Sequence, residues 1–156
     1  MMSGPTLYPI QIIQTAKAVL VLFENSNGTF RYIPLDSKHR DDIGPTYNGD
    51  SVGHWEGDTL VVDVSNFNDK TWIWGTGTFH TEAMHVVERY TRVDKDQLNY
   101  EATIEDPNVF TKPWHLRETF MLREDTLLTE YVCTENNRDG ANLQEILKED
   151  PTYSAK

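Results

Sequence analysis

The sequence predicts an all-β fold: an antiparallel, lipocalin-like meander barrel of about eight or nine strands with a short C-terminal helix. Three observations lead there. Short β-branched or aliphatic runs recur along the chain, bounded by Gly, Pro, Asn and Asp. The connections between them are mostly of hairpin length, and none reads as a helical crossover. Residues Leu98 to Glu105 alternate, with Leu98, Tyr100, Ala102 and Ile104 on one side and Asn99, Glu101, Thr103 and Glu105 on the other, the period of a strand with one buried face. Sequential antiparallel strands bury one face by closing on themselves or by stacking as two sheets. The closed barrel is the expectation and an open sandwich the alternative.

Taken in order, Ile10 to Gln14 and Ala18 to Glu24 are the first strands, joined near Thr15-Ala16-Lys17. Asn25-Ser26-Asn27-Gly28 is a turn, and Thr29 to Leu35 returns as a strand whose Pro34 requires an edge or an end. Asp36 to Asn48 is polar and reads as a loop. Ser51 to Trp55 and Leu60 to Val64 form a hairpin across Glu56-Gly57-Asp58, where Gly supplies the positive φ of a tight turn. The segment carrying Trp72 and Trp74 has poor strand character and reads as an aromatic loop that covers a barrel end or walls a pocket. Ala83 to Val93 mimics a helix, but its β-branched content favours a strand. After the Asp94-Lys95-Asp96 turn come Leu98 to Glu105, a loop at Asp106-Pro107, and a hairpin of His115 to Arg123 with Leu127 to Cys133. Ala141 to Lys148 places Leu143, Ile146 and Leu147 at helical spacing. The 156 residues suit a single domain, with a core over about 8–139 and a tail over 140–156.

Fourteen Lys and Arg against 25 Asp and Glu leave a formal charge of −11. That field repels phosphate backbones and anionic lipid, so neither nucleic acid nor a membrane surface is the expected partner. The lone Cys133 excludes an intramolecular disulfide and a Cys-based zinc site, and with no feature to lower its pKa it reads as a small core residue. No apolar run approaches the length of a membrane span. The first residues lack the basic head and apolar segment of a signal peptide, so the expected location is cytoplasmic, although a longer secreted precursor is compatible with the sequence.

The blocks GDSVGHWEGDTLVVD, FNDKTW, HVVERY, EDPNVFTKPW and EYVCTENN, spread from about Ile10 to Asp139, resemble those of a widespread group of uncharacterised bacterial proteins that carry similar blocks in the same order. The resemblance implies no established activity. Many members are longer and begin with a secretion signal, which this chain does not show. The turn after Trp55 is also similar to that of lipocalin-like, calycin-type barrels, which bears on the fold alone.

Familiar catalytic signatures are absent: there is no Gly-rich phosphate loop, no GxSxG elbow, and no HExxH or HxH pair. His80 and His85 fall on opposite faces of a strand, so neither a metal nor a cofactor is expected. Carboxylates on apolar faces are more informative. Met84, Val86, Glu88 and Tyr90 share one face; Leu116, Glu118, Phe120 and Leu122 share another; Leu128, Glu130 and Val132 a third. Turned inward, such a carboxylate is desolvated and becomes a general acid or base, unless an Arg such as Arg89, Arg117 or Arg123 pairs with it. Turned outward, the same pattern serves a homodimer contact. The opposite faces offer a rival lumen of His85, Val87 and Arg89 with His115, Arg117 and Thr119, and with Thr129, Tyr131 and Cys133.

The resulting expectation is a cofactor-independent enzyme acting by acid–base chemistry on a small hydrophobic oxygenated or aromatic substrate, as a cyclase, isomerase, dehydratase or lyase. Glu88, His85 and Asp69 are the proton-transfer candidates. Arg89 and Tyr131 orient the substrate, and Trp55, Trp72, Trp74 and Trp114 enclose it. Asp69 has a structural alternative as the cap of its own turn. A non-catalytic, lipocalin-like carrier is the alternative function, and a module with a filled interior is a third.

Overall fold

The computed structural model describes residues 9–24, 30–74 and 77–129, with the side chain of Trp74 outside the description. Ten strands are defined: β1 (Ile10–Gln14), β2 (Ala18–Phe23), β3 (Phe30–Pro34), β4 (Asp50–Glu56), β5 (Thr59–Ser65), β6 (Trp72–Trp74), β7 (Thr78–Phe79), β8 (His85–Arg92), β9 (Gln97–Glu105) and β10 (Trp114–Met121). No helix occurs among the described residues. The chain is all-β and its named strands pair antiparallel throughout.

The expected closed barrel is not found among the described residues. The strands form a three-stranded sheet β1-β2-β3, a five-stranded sheet β10-β9-β8-β5-β4 and a two-stranded ribbon β6-β7. Among the described residues β1 and β10 remain outer edges without a pairing between them, and β3 and β4 fail to form a ladder for a local reason. β3 ends at Pro34, which has no amide proton for a further ladder, and Asp36 then turns the chain away with φ 52°. What joins β3 to β4 is the parallel Leu35–Gly53 bridge and the Asp36 amide donating to the Gly53 carbonyl at 2.8 Å. Gly53 permits this approach, since a Cβ there would lie 3.0 Å from Ile33 Cγ2 and 3.2 Å from Leu35 Cδ2.

Two further expectations change. Trp72 to Trp74 is a short strand, not a loop, because Gly77 at φ 79° lets the chain double back and pair Trp72 with Phe79. Leu127 to Thr129 is not strand. The rest of that expected strand, together with the expected helix over Ala141–Lys148, lies outside the described residues.

The alternation along β9 sets the core as expected: Tyr100, Ala102 and Ile104 are buried while Glu101 and Glu105 are exposed. In register, Leu116, Ala102, Glu88, Val62 and Gly53 make one inward row across the large sheet, flanked by the rows of Ile104-Val86-Val64 and Tyr100-Tyr90-Leu60. The small sheet lays Val19, Val21 and Ile33 on these rows, so a single core lies between the two sheets. Each such aliphatic side chain contributes roughly 1.5–3 kcal/mol by leaving water.

Two glycines in the left-handed region separate conformational cost from steric cost. Gly57, in the β4–β5 turn at φ 59°, faces open space. Gly49, at φ 68° before β4, would place a Cβ 2.7 Å from the Ser65 carbonyl oxygen and 2.9 Å from Val64 Cγ1. Gly57→Ala is therefore expected to cost about 1–2 kcal/mol, the penalty of an L-residue in that region. Gly49→Ala should cost distinctly more, because backbone must shift as well. Urea melts of the two variants check the order, and equal midpoints would contradict it.

Candidate functional site

β8 presents Val86, Glu88 and Tyr90 inward, all buried, and leaves His85, Val87 and Arg89 partly exposed on the outer face. Of the two faces open at the level of sequence, the Glu88 face lines the interior. Glu88 is only 1% exposed, set between Val62 on β5 and Ala102 on β9. Its partner is none of the nearby arginines considered from sequence. Arg31, on β3 of the other sheet, crosses the core to it: Nη1 donates to Glu88 Oε1 at 2.9 Å, and Nη2 lies 2.9 Å from Oε2. Nη2 also donates to Ser51 Oγ at 3.0 Å, and the Tyr100 hydroxyl donates to Glu88 Oε1 at 2.9 Å.

Burial alone would push the Arg31 guanidinium down, but the Glu88 carboxylate, with Tyr90 and Tyr100, holds it above its ordinary range. Burial, reinforced by the same carboxylate, pushes both Tyr90 and Tyr100 up, so both phenols keep their protons. Satisfaction is incomplete. Arg31 Nε and Glu88 Oε2 have no hydrogen-bond partner among the described residues, because the close Nη2–Oε2 approach is an ion pair without hydrogen-bond alignment. The other carboxylates of the inward set are placed differently: Glu118 is half-buried, its carboxyl pushed up by that burial, and Glu130 lies outside the described residues.

Beside this cluster, between the two sheets, runs an apolar groove of about 140 Å³. Ile12, Val19, Val21 and Ile33 line it from the small sheet; Trp55, Leu60, Tyr90 and Leu98 line it from the large one. Gln14, Asp58 and Arg92 supply its polar edge. Glu88 and Arg31 do not line the groove. Tyr90, two residues along β8 from Glu88, is the residue common to both regions.

A second polar centre lies on the outer face of the large sheet. Asp63 on β5 takes His85 Nε2 on Oδ2 at 2.7 Å and His39 Nε2 on Oδ1 at 2.7 Å. The other ring nitrogen of His39, Nδ1, lies 2.8 Å from Asp50 Oδ2, and the Arg40 amide donates to that same oxygen at 3.0 Å. Burial would raise the Asp63 carboxyl, but the hydrogen bonds from His85 and His39 outweigh it and hold the carboxyl below its ordinary value.

The proposed proton-transfer residues are not gathered in one place. Glu88 is in the core, His85 is on the opposite face with Asp63, and Asp69 is exposed in a turn capped instead by Asn68, whose Oδ1 accepts the Lys70 amide at 3.1 Å. Arg89 points outward and donates to Glu56 Oε2 at 2.7 Å. The tryptophans do not form one cage. Trp55, 43% exposed, lies in the row of Leu60 at the groove; Trp114, 41% exposed, lies in the row of Ile104 and Val64. Those rows are four positions apart along β5, a span of about 13 Å. Trp72 is 59% exposed on the β6–β7 ribbon. Tyr131, and with it Cys133, lies outside the described residues, as does the side chain of Trp74. His80 is buried away from His85, with Nε2 2.9 Å from Thr71 Oγ1 and its ring edge-on to Phe67.

Sequence reasoning missed Arg31, although a signal existed: Arg31 and Ile33 share a face of β3, and an inward Ile33 carries Arg31 inward with it. His39, in an irregular loop, gave no such signal. No family model, no curated protein and no solved structure matches this chain.

The buried pair generates a double-mutant prediction. Arg31→Met leaves an uncompensated carboxylate in the core and is expected to cost about 3–5 kcal/mol, more than removing one aliphatic side chain. Adding Glu88→Leu should recover most of that loss. Chemical denaturation of the two single variants and the double variant measures the coupling; additive losses would show that the pair does not act as a unit.

Proposed function

We propose that this protein binds a compact apolar molecule in the groove between its two sheets, which act as the walls of a lipocalin-like cup. The observation that supports this reading is the groove itself: about 140 Å³, walled by aliphatic and aromatic side chains drawn from both sheets. Its size approaches that of an engineered apolar cavity of about 150 Å³ that takes up benzene. A single ring with small apolar substituents suits it, with any polar end directed to Gln14, Asp58 and Arg92. Trp55 at the rim and Tyr90 within offer the ligand aromatic faces.

Acid–base catalysis is the second reading, and one observation favours it: Tyr90 lines the groove while its phenol borders the Arg31–Glu88 pair. With its proton held by burial and by the neighbouring carboxylate, Tyr90 is a donor to an oxygenated ligand, not a base. Binding needs no more than that, and so it stands first.

Toluene titrated into methyl-labelled protein is expected to shift the Ile12, Val21, Ile33 and Leu60 methyl resonances saturably. Val21→Phe, which fills the groove, and Leu98→Trp, which blocks its half-buried edge, should each abolish the shifts. Trp72→Ala, on the separate ribbon, should leave them unchanged. Absent or non-saturating shifts in the native protein would sink the binding reading, and shifts that survive both blocking substitutions would place the ligand elsewhere.

A further inference from the structure

The loop between β3 and β4 is polar and irregular; Asn66 Nδ2 donates to the Ile43 and Gly44 carbonyls and the Thr46–Phe67 bridge holds its second half, while one ring fastens its first half to the outer face of the large sheet. His39 lies between two carboxylates, with Nδ1 2.8 Å from Asp50 Oδ2 and Nε2 2.7 Å from Asp63 Oδ1. An ionised carboxylate only accepts hydrogen bonds, and a neutral imidazole has a single N–H. Both contacts are hydrogen bonds only when the ring carries two protons. The extra proton belongs on the imidazole, since protonating a carboxyl that ordinarily titrates near 3.8 is the harder alternative near neutral pH.

We propose that His39 is a pH-operated latch: as imidazolium it clamps the first half of the β3–β4 loop to Asp50 and Asp63, and on losing its proton it releases that half and loosens the seam between the two sheets. The surroundings suit reversible release. Asp63 keeps His85 on its second oxygen and so is not stranded when His39 leaves, whereas Asp50, at the edge of the sheet, gives up the Arg40 amide together with the His39 ring. The seam is close at hand, because the Asp36–Gly53 hydrogen bond and the Leu35–Gly53 bridge immediately precede the loop.

The charged and titratable groups around the latch are Asp50 on β4, Asp63 on β5, His85 on β8 and Glu105 on β9, which pairs in register with His85. On the loop itself they are Asp36, Lys38, Asp41 and the Arg40–Asp42 ion pair, closed at 3.0 Å. Partial burial opposes charge on His39, but the hydrogen bonds of Asp63 and Asp50 outweigh it and hold the imidazole above its ordinary 6.5. A raised histidine pKa gives stability that is complete below 6.5 and disappears as pH rises through the raised value. The lowered Asp63 value has the opposite sign: its contribution is complete above 3.8 and is lost as pH falls through the lowered value. The loop is therefore held most firmly between the two.

Nitrogen-15 spectra of the imidazoles and amide hydrogen exchange, followed from pH 5 to 9, test the latch. His39 should titrate above 6.5 and show two N–H groups below its midpoint. The protection factors of the Arg40 and Asp36 amides should both fall about tenfold through that midpoint. Asp63→Asn, which removes one charge but keeps an acceptor, should lower the midpoint by about one pH unit. A midpoint at or below 6.5, a singly protonated ring at pH 5, or protection that ignores the His39 titration overturns the proposal. Loss of protection at Arg40 alone overturns it too, because the seam would then be independent of the latch. None of these readouts needs a groove ligand, so failure to bind toluene leaves the test intact.

Discussion

The Arg31–Glu88 pair is the constraint on which the rest of the structure depends. Apolar contacts between the two sheets are non-directional, and Val19, Val21 and Ile33 would pack nearly as well after a small slide. A guanidinium that must meet a carboxylate, with Tyr100 and Ser51 sharing the hydrogen bonds, permits one alignment of β3 over β8 and β9. A slip of one residue in β3 would turn Arg31 out and leave Glu88 buried and unpaired. Desolvation offsets much of what the pair gains, so its main effect is on which arrangement is reached.

Much of the fold was legible because it rests on local rules. Period-two alternation fixed β9, β-branched content separated β8 from a helix, and Gly57 marked the central hairpin. Closure was not legible, because it is not local. A meander closes only if its sheet edges meet, β1 with β10 as well as β3 with β4, and at the second of these Pro34 and the left-handed Asp36 take the chain out of the sheet after a single bridge. The β6–β7 ribbon was missed for a related reason: three strand residues paired with two carry too little periodicity to stand out from a loop.

The candidate site divides in the same way. Alternation put Glu88 with Val86 and Tyr90, and the only remaining question was which side faced in. Pairing answered it, since Val62 and Ala102 flank Glu88 while Asp63 and Thr103 flank Val87. The partners came from farther away. Arg31 is 57 positions from Glu88 and His39 is 24 from Asp63, separations at which spacing in sequence says nothing about contact. The three tryptophans whose side chains are described are spread over a groove rim, a separate ribbon and the opposite end of the sheet, a distribution that composition does not carry.

That distribution bears on chemistry. Glu88 is buried in the core and held there by Arg31, which reaches it from the other sheet. Tyr90 then stands between the pair and the groove with its proton more firmly held than in water. A ligand in the groove would meet aliphatic walls, two aromatic faces, the Tyr90 phenol and the polar edge of Gln14, Asp58 and Arg92. The chain Asp50–His39–Asp63–His85 is on the other side of the sheet, half-open to solvent, where it fastens a loop. The interaction that gives the core a single alignment thus lies beside the groove and not in it, with Tyr90 the residue that borders both.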